Sequence, residues 1–162
     1  MTHASSLVSG LRSVALTVPD LDLAEKFYTS VWHLDLVEKL PNALYFRGTG
    51  ADHHLLALHY AEGPAKILHV TLRLRDASVF DVIANSVVVA GGKILKPRAT
   101  LDTPGGGEAL TIADPDGRVF QLIYGDVLHT DTHEARDKPI RLAHAVLNSH
   151  DVEATRAFME SV

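Results

Sequence analysis

The sequence predicts an α+β fold of paired βαβββ modules, followed by the first strand and helix of a third unit. Three observations predict it. Residues 11–31 align without a gap onto residues 142–162 at an offset of 131, where Leu11/Leu142, Leu16/Leu147, Asp20/Asp151, Phe27/Phe158, Ser30/Ser161 and Val31/Val162 coincide. A fainter copy opens in the middle, where His69-Val-Thr-Leu-Arg-Leu-Arg-Asp76 follows the pattern of Ser13-Val-Ala-Leu-Thr-Val-Pro-Asp20. After each of the first two openings, one helical stretch is followed by three extended ones. Such a repeat marks one supersecondary unit, which seldom buries its apolar face alone.

Taken in order, Ser13 to Val18 is β-rich and stops at Pro19, as a strand does. Asp20 stands where a helix N-cap belongs, and Leu23, Phe27 and Val31 keep a helical spacing up to Trp32. Leu34 to Lys39, Ala43 to Arg47 and His54 to His59 read as strands separated by Pro41-Asn42 and Gly48-Thr-Gly50. The order then repeats. Ile67 to Leu74 is a strand, and Ala77 to Ala90 is a helix with Val79, Ile83 and Val87 on one face. Gly91-Gly92 supplies the left-handed residue that ends helices. Lys93 to Arg98, Glu108 to Ala113 and Arg118 to Tyr124 are strands, the last two joined by Asp114-Pro-Asp-Gly117, a strong turn sequence. Residues 1–125 thus form one complete two-unit domain. The polar stretch 126–140 reads as a linker, and 141–162 as the start of a second domain.

Bulk properties narrow the function classes. The chain has 162 residues, 46% of them hydrophobic and 22% charged, the proportions of an ordinary globular domain. Its net charge of −5 argues against binding nucleic acid, which needs a basic face. There is no cysteine, hence no disulfide, thiolate metal site or cysteine nucleophile. The amino terminus lacks the pattern of a signal peptide, and no apolar run spans a membrane. A cytoplasmic protein is expected.

Several motifs together resemble a known superfamily. They are Val18-Pro-Asp-Leu-Asp22 with Phe27-Tyr28, a histidine opening the second unit, and Asp114-Pro-Asp-Gly117 before the last strand. Over residues 11–125 the chain resembles the vicinal oxygen chelate superfamily of glyoxalases, bleomycin-resistance proteins and extradiol dioxygenases. The stretch from Leu44 to His59, followed by His69, resembles the amino-terminal domain of two-domain extradiol dioxygenases of the dihydroxybiphenyl 1,2-dioxygenase kind. That resemblance implies a catechol-like aromatic substrate, insertion of both atoms of oxygen beside its hydroxyls, and iron(II). It also implies that the iron lies in the carboxy-terminal domain, held by two histidines and a glutamate. His144 matches the first of these ligands, and the other two have no counterpart in this chain. A non-enzymatic small-molecule binder of the bleomycin-resistance type is the rival reading, and a glyoxalase-type lyase or isomerase the third.

The donors can be weighed one by one. Metal-binding members of the superfamily use the first and last strands of their units. There this chain has Ser13, His69 and Gln121, with an apolar residue from Leu55 to Leu58 at the remaining position. Serine and neutral glutamine are weak ligands, so His69 is a metal candidate without good partners. It reads mainly as a buried imidazole hydrogen-bonded to a neighbour. On a regular strand His53 and His59 share a face while His54 takes the other, so the three cannot form one ligand set. Gly105-Gly-Gly107 lacks the following helix that phosphate binding uses and reads as a flexible loop. Asp114 and Asp116 read as turn formers, and Ser13 has no evident base. Finally, Val152, Thr155, Phe158, Met159 and Val162 gather on one helical face. That face is expected to dock across a partner chain and give a homodimer.

Overall fold

The computed structural model describes residues 7–162. The elements in chain order are β1 (Val8–Val18), α1 (Leu21–Ser30), β2 (Asp35–Leu40), β3 (Ala43–Arg47), β4 (Leu56–Tyr60), β5 (Lys66–Leu74), α2 (Val79–Val89), β6 (Lys93–Thr100), β7 (Glu108–Ala113), β8 (Val119–Tyr124) and α3 (Val152–Ser161). All eight strands join one sheet in the order β2-β3-β4-β1-β5-β8-β7-β6. β1 meets β5 antiparallel at the centre, with Val14 opposite Val70. The pairs β1/β4 and β5/β8 are parallel, and the outer pairs are antiparallel. Read outward from the centre, each half places its own first, fourth, third and second strands. The sequence repeat is therefore a two-fold in the sheet.

Strand alternation divides the side chains between two faces. On one face of the first module, Leu44, Phe46, Leu56 and Leu58 form a core with Leu34, covered by Leu21, Ala24 and Tyr28 of α1. On the same face of the second, Val70, Leu110, Ile112, Phe120 and Leu122 meet Phe80, Ile83 and Val87 of α2. Side chains of this size contribute about 1.5–3 kcal/mol each when fully buried. The opposite face is floored near its middle by Ala15, Ala43 and Ala57 beside Tyr45. Alanine fills little space there, so that face stays hollow.

Local signals fall where the sequence puts them. Asp20 accepts the amide of Leu23 at 2.8 Å, and its repeat counterpart Asp151 accepts that of Ala154 at 3.0 Å. Gly117, at φ 82°, closes the Asp114 turn through a 2.9 Å bond to the Asp114 carbonyl.

Two stretches differ from expectation. Residues 142–147, read as the strand of a third unit, lie outside any strand. A strand exists only where another pairs with it, and no described strand runs beside this segment. Residues 126–140, read as a linker, are strapped to the first module instead. The amide of Thr49 donates to the Pro139 carbonyl at 2.9 Å, that of Gly50 to Ile140 at 3.0 Å, and that of His129 to Ala51 at 2.8 Å. The strap lies so close that a Cβ on Gly48 would run into the carbonyls of Pro139 and Ile140.

The helix of the third unit folds back onto its own chain. Phe158 is only 3% exposed and joins the core of the second module, where Leu147 and Val162 also pack. Arg118 reaches from the turn before β8 to the carbonyl of Asn148 and the hydroxyl of Thr155, both at 2.8 Å. Of the apolar face expected to seek a partner chain, Phe158 and Val162 thus pack on the second module, while Val152 and Met159 stay exposed.

Candidate functional site

The hollow face of the sheet forms a cup of about 660 Å³ between the two modules. Its floor follows from alternation: Ala57 and His59 of β4, His69 of β5, Gln121 and Ile123 of β8 all turn away from the helices. Arg12 reaches the same cup by another route. The register of β1 against β5 slips between Leu11 and Ser13. This bulge lets Arg12 line the cup and bond the buried Ser13, while Leu11 and Val14 still pack toward the cores.

Arg12 is 2% exposed and is held from several sides. Its Nε donates to Asp126 at 3.2 Å, and Nη1 donates to the Ser13 hydroxyl at 3.0 Å and to His54 Nε2. Asp126 also accepts from Arg73, at 3.0 and 2.7 Å, and Arg73 binds Asp52 at 2.7 Å. Burial pushes the Asp126 carboxyl up. The hydrogen bonds and charge of Arg73, with the charge of Arg12, outweigh that and hold it below the usual carboxylate range. Gly105 completes the setting at φ 90°. A Cβ there would stand 2.7 Å from Arg12 Nη2.

The imidazole tautomers follow from the arginine. A guanidinium only donates, so His54 Nε2 accepts and its proton sits on Nδ1. That proton is then donated to His53 Nδ1, 3.0 Å away, and His53 stacks on His129 with ring centres 5.5 Å apart. Burial, then the charge of Arg12, lowers His54 to about 2. Burial, then His59, Lys96 and Arg12, lowers His69 to about 4. At neutral pH both rings are uncharged. Tyr45 stands between His54 and His59, edge-on to each at 4.8 and 6.0 Å.

The placement of the sequence candidates is mixed. His54 and His59 both face the cup, contrary to strand alternation, because β4 begins only at Leu56 and His54 precedes it. His69 lines the cup with no hydrogen-bond partner among the described residues, where a bonded core imidazole was expected. Gly105-Gly-Gly107 is tied by bonds from Val127 to Gly105 and from Leu101 to Gly107, both 2.8 Å. His144 is exposed and stands apart from the cup. Arg12 carried no sequence signal, because the bulge that aims it depends on pairing with β5.

An iron(II) centre does not fit this cup. The two-fold makes Ser13 and His69 equivalent, and the register makes Ala57 the partner of Gln121. Those four positions offer one imidazole, one hydroxyl, one amide and a methyl group, with no anion among them. The hydroxyl already accepts from a buried cation. Among the described residues no group of three His, Cys, Asp or Glu side chains could hold a metal.

Comparisons with known proteins agree with this architecture. A family model described as the glyoxalase/bleomycin resistance protein/dioxygenase superfamily matches residues 10–122. A Mn(II)-bound glyoxalase from Novosphingobium aromaticivorans superimposes with a TM-score of 0.88 at 30% identity, over 95% of this chain and 52% of that one. An extradiol ring-cleaving dioxygenase from B. fuscum gives 0.85 at 22% identity, over 95% and 44%. A variant of homoprotocatechuate 2,3-dioxygenase from Brevibacterium fuscum gives 0.84 at 23%, with the same coverage. The likeness to the two dioxygenases is one of fold. The chain spans about half the length of these structures. Among curated proteins, none matches the chain by sequence. No helix among the described residues is long and apolar enough to cross a membrane. A match over most of the chain, on a sheet with this two-fold and this cup, makes it a member of the glyoxalase/bleomycin resistance protein/dioxygenase superfamily.

Proposed function

We propose that these residues form a metal-free module of the extradiol dioxygenase lineage, whose cup holds a small aromatic molecule without cleaving it. One observation carries the reading: Ser13, Ala57, His69 and Gln121 occupy the four ligand positions, beside the buried guanidinium of Arg12. Ring opening needs a metal that takes both catechol oxygens and leaves room for dioxygen. An uncharged donor set next to a fixed cation does not offer that. A glyoxalase-type isomerase meets the same obstacle.

Ring cleavage by iron(II) is proposed only for the whole protein. There His144 would be the first ligand, and two further donors would have to join it that the described residues do not bring near. The binder reading gains from the cup itself, whose volume lies within the roughly 300–1,000 Å³ of small-molecule sites. Metal analysis with a catechol ring-opening assay on the purified chain tests the proposal. Well under one equivalent of iron and negligible turnover are expected. Tightly held stoichiometric iron with ring opening would overturn it.

A further inference from the structure

We infer that the cup takes a small organic anion, a carboxylate on a flat apolar body, with its charged group among His59, His69 and Lys96. The inference rests on the metal-free reading of the cup and names the class of its ligand.

The first support is unmet hydrogen-bonding capacity. His59, His69 and Lys96 line the cavity, and the side chain of none has a hydrogen-bond or ion-pair partner among the described residues. Imidazole N–H and ammonium groups in a sheltered site seek acceptors, and a charged acceptor makes the stronger bond.

The second is sign. The groups that bear on His69 are His59, Lys96 and Arg12, and the main ones on His54 are Arg12, His53, His69 and His59. The nearby acids are engaged or set aside. Asp126 is bonded to Arg12 and Arg73, and Asp52 to Arg73. Glu38 of β2 bears on Tyr45 and His53, and Asp102 lies on the exposed rim. Lys96 is therefore the cation of the cavity lining that has no ion-pair partner among the described residues, Arg12 being paired with Asp126. An anion is drawn to that ammonium and to the imidazole N–H groups beside it.

The third is shape. Ala57, Ala109 and Ile123 pave the floor, and Leu95 and Pro97 form a wall. This surface suits a planar hydrocarbon, with the polar groups fixing its orientation. An anion between the imidazoles also favours their protonated forms. Binding therefore takes up protons, and affinity rises as pH falls from neutral toward 5.

Titration of the whole chain with 2-naphthoate, followed by its fluorescence and by calorimetry, tests this against uncharged 2-naphthamide. The carboxylate is expected to bind about tenfold more tightly than the amide, the scale of one charge-assisted bond. Lys96→Gln and His59→Gln replace an exposed side chain and a half-buried one. They are expected to remove most of that preference while leaving the melting temperature unchanged. Equal binding of the two probes, binding of neither, or an unaltered preference in both variants would overturn the inference. None of these results bears on the metal-free reading, which fails separately if iron and ring opening appear.

Discussion

At the scale of single residues, the structure changes what His69 is expected to do. A hydrogen-bonded core imidazole would cost roughly 1–3 kcal/mol to remove, because its partner is stranded. Here the ring opens on the cup with no partner to strand. His69→Ala is therefore expected to lower stability by less than about 1 kcal/mol in urea denaturation, within the range of substitutions away from buried networks. The depressed imidazoles also set a pH dependence. His54 and His69 bind protons less readily folded than unfolded, where the ordinary value is 6.5. As pH falls below 6.5 the unfolded chain takes up protons that the native one refuses, so stability falls. For His69 the loss runs down to about 4, and for His54 to about 2. Melting temperatures measured from pH 7 to 4.5 should decline steadily, and more gently in His69→Ala. A flat profile would contradict the assignment. The residue types of the cup were legible in the sequence, but their facing was not. His54 and Arg12 owe their direction to a late strand start and to a bulge, and both depend on contacts between strands far apart in the chain.

At the scale of elements, Asp126 ties together three segments that the sequence left separate. It joins the bulge of β1 through Arg12, β5 through Arg73, and the strap that begins just after β8. Its side chain is 2% exposed and that of Arg12 3%, so the pair is shielded from water. Removing one member leaves a buried charge unpaired, which costs about 3–5 kcal/mol. Asp126→Asn should lower the stability read from urea unfolding by that order without changing the slope with denaturant. The boundaries of most strands and helices were legible, because alternation, caps and the Asp114 turn are local. The strap was not. A polar run looks like a linker until its backbone finds carbonyls and amides on another loop, as Thr49, Gly50 and Ala51 provide here.

At the scale of the whole molecule, the repeat announced the two-fold sheet, and the copy ending in Val162 announced α3. What covers α3 was not legible, because the sequence does not reveal that Gly92 leaves room for Phe158. A homodimer is still proposed, now through α1 and its end, where Leu23, Phe27, Val31 and Trp32 are 65%, 45%, 59% and 51% exposed. Removing residues 141–162 is then expected to lower the melting temperature, by uncovering the second core, and to leave the sedimentation coefficient that of a dimer. Dissociation would place the interface in the tail instead. The two-fold has one more consequence. Ser13 faces His69 across the axis, and Ala57 faces Gln121, so a symmetric container holds unlike contents. A guest turned end for end would meet a methyl group where it had met an amide, and a hydroxyl where it had met an imidazole. Duplication made the bowl; divergence of its halves gave it a front and a back.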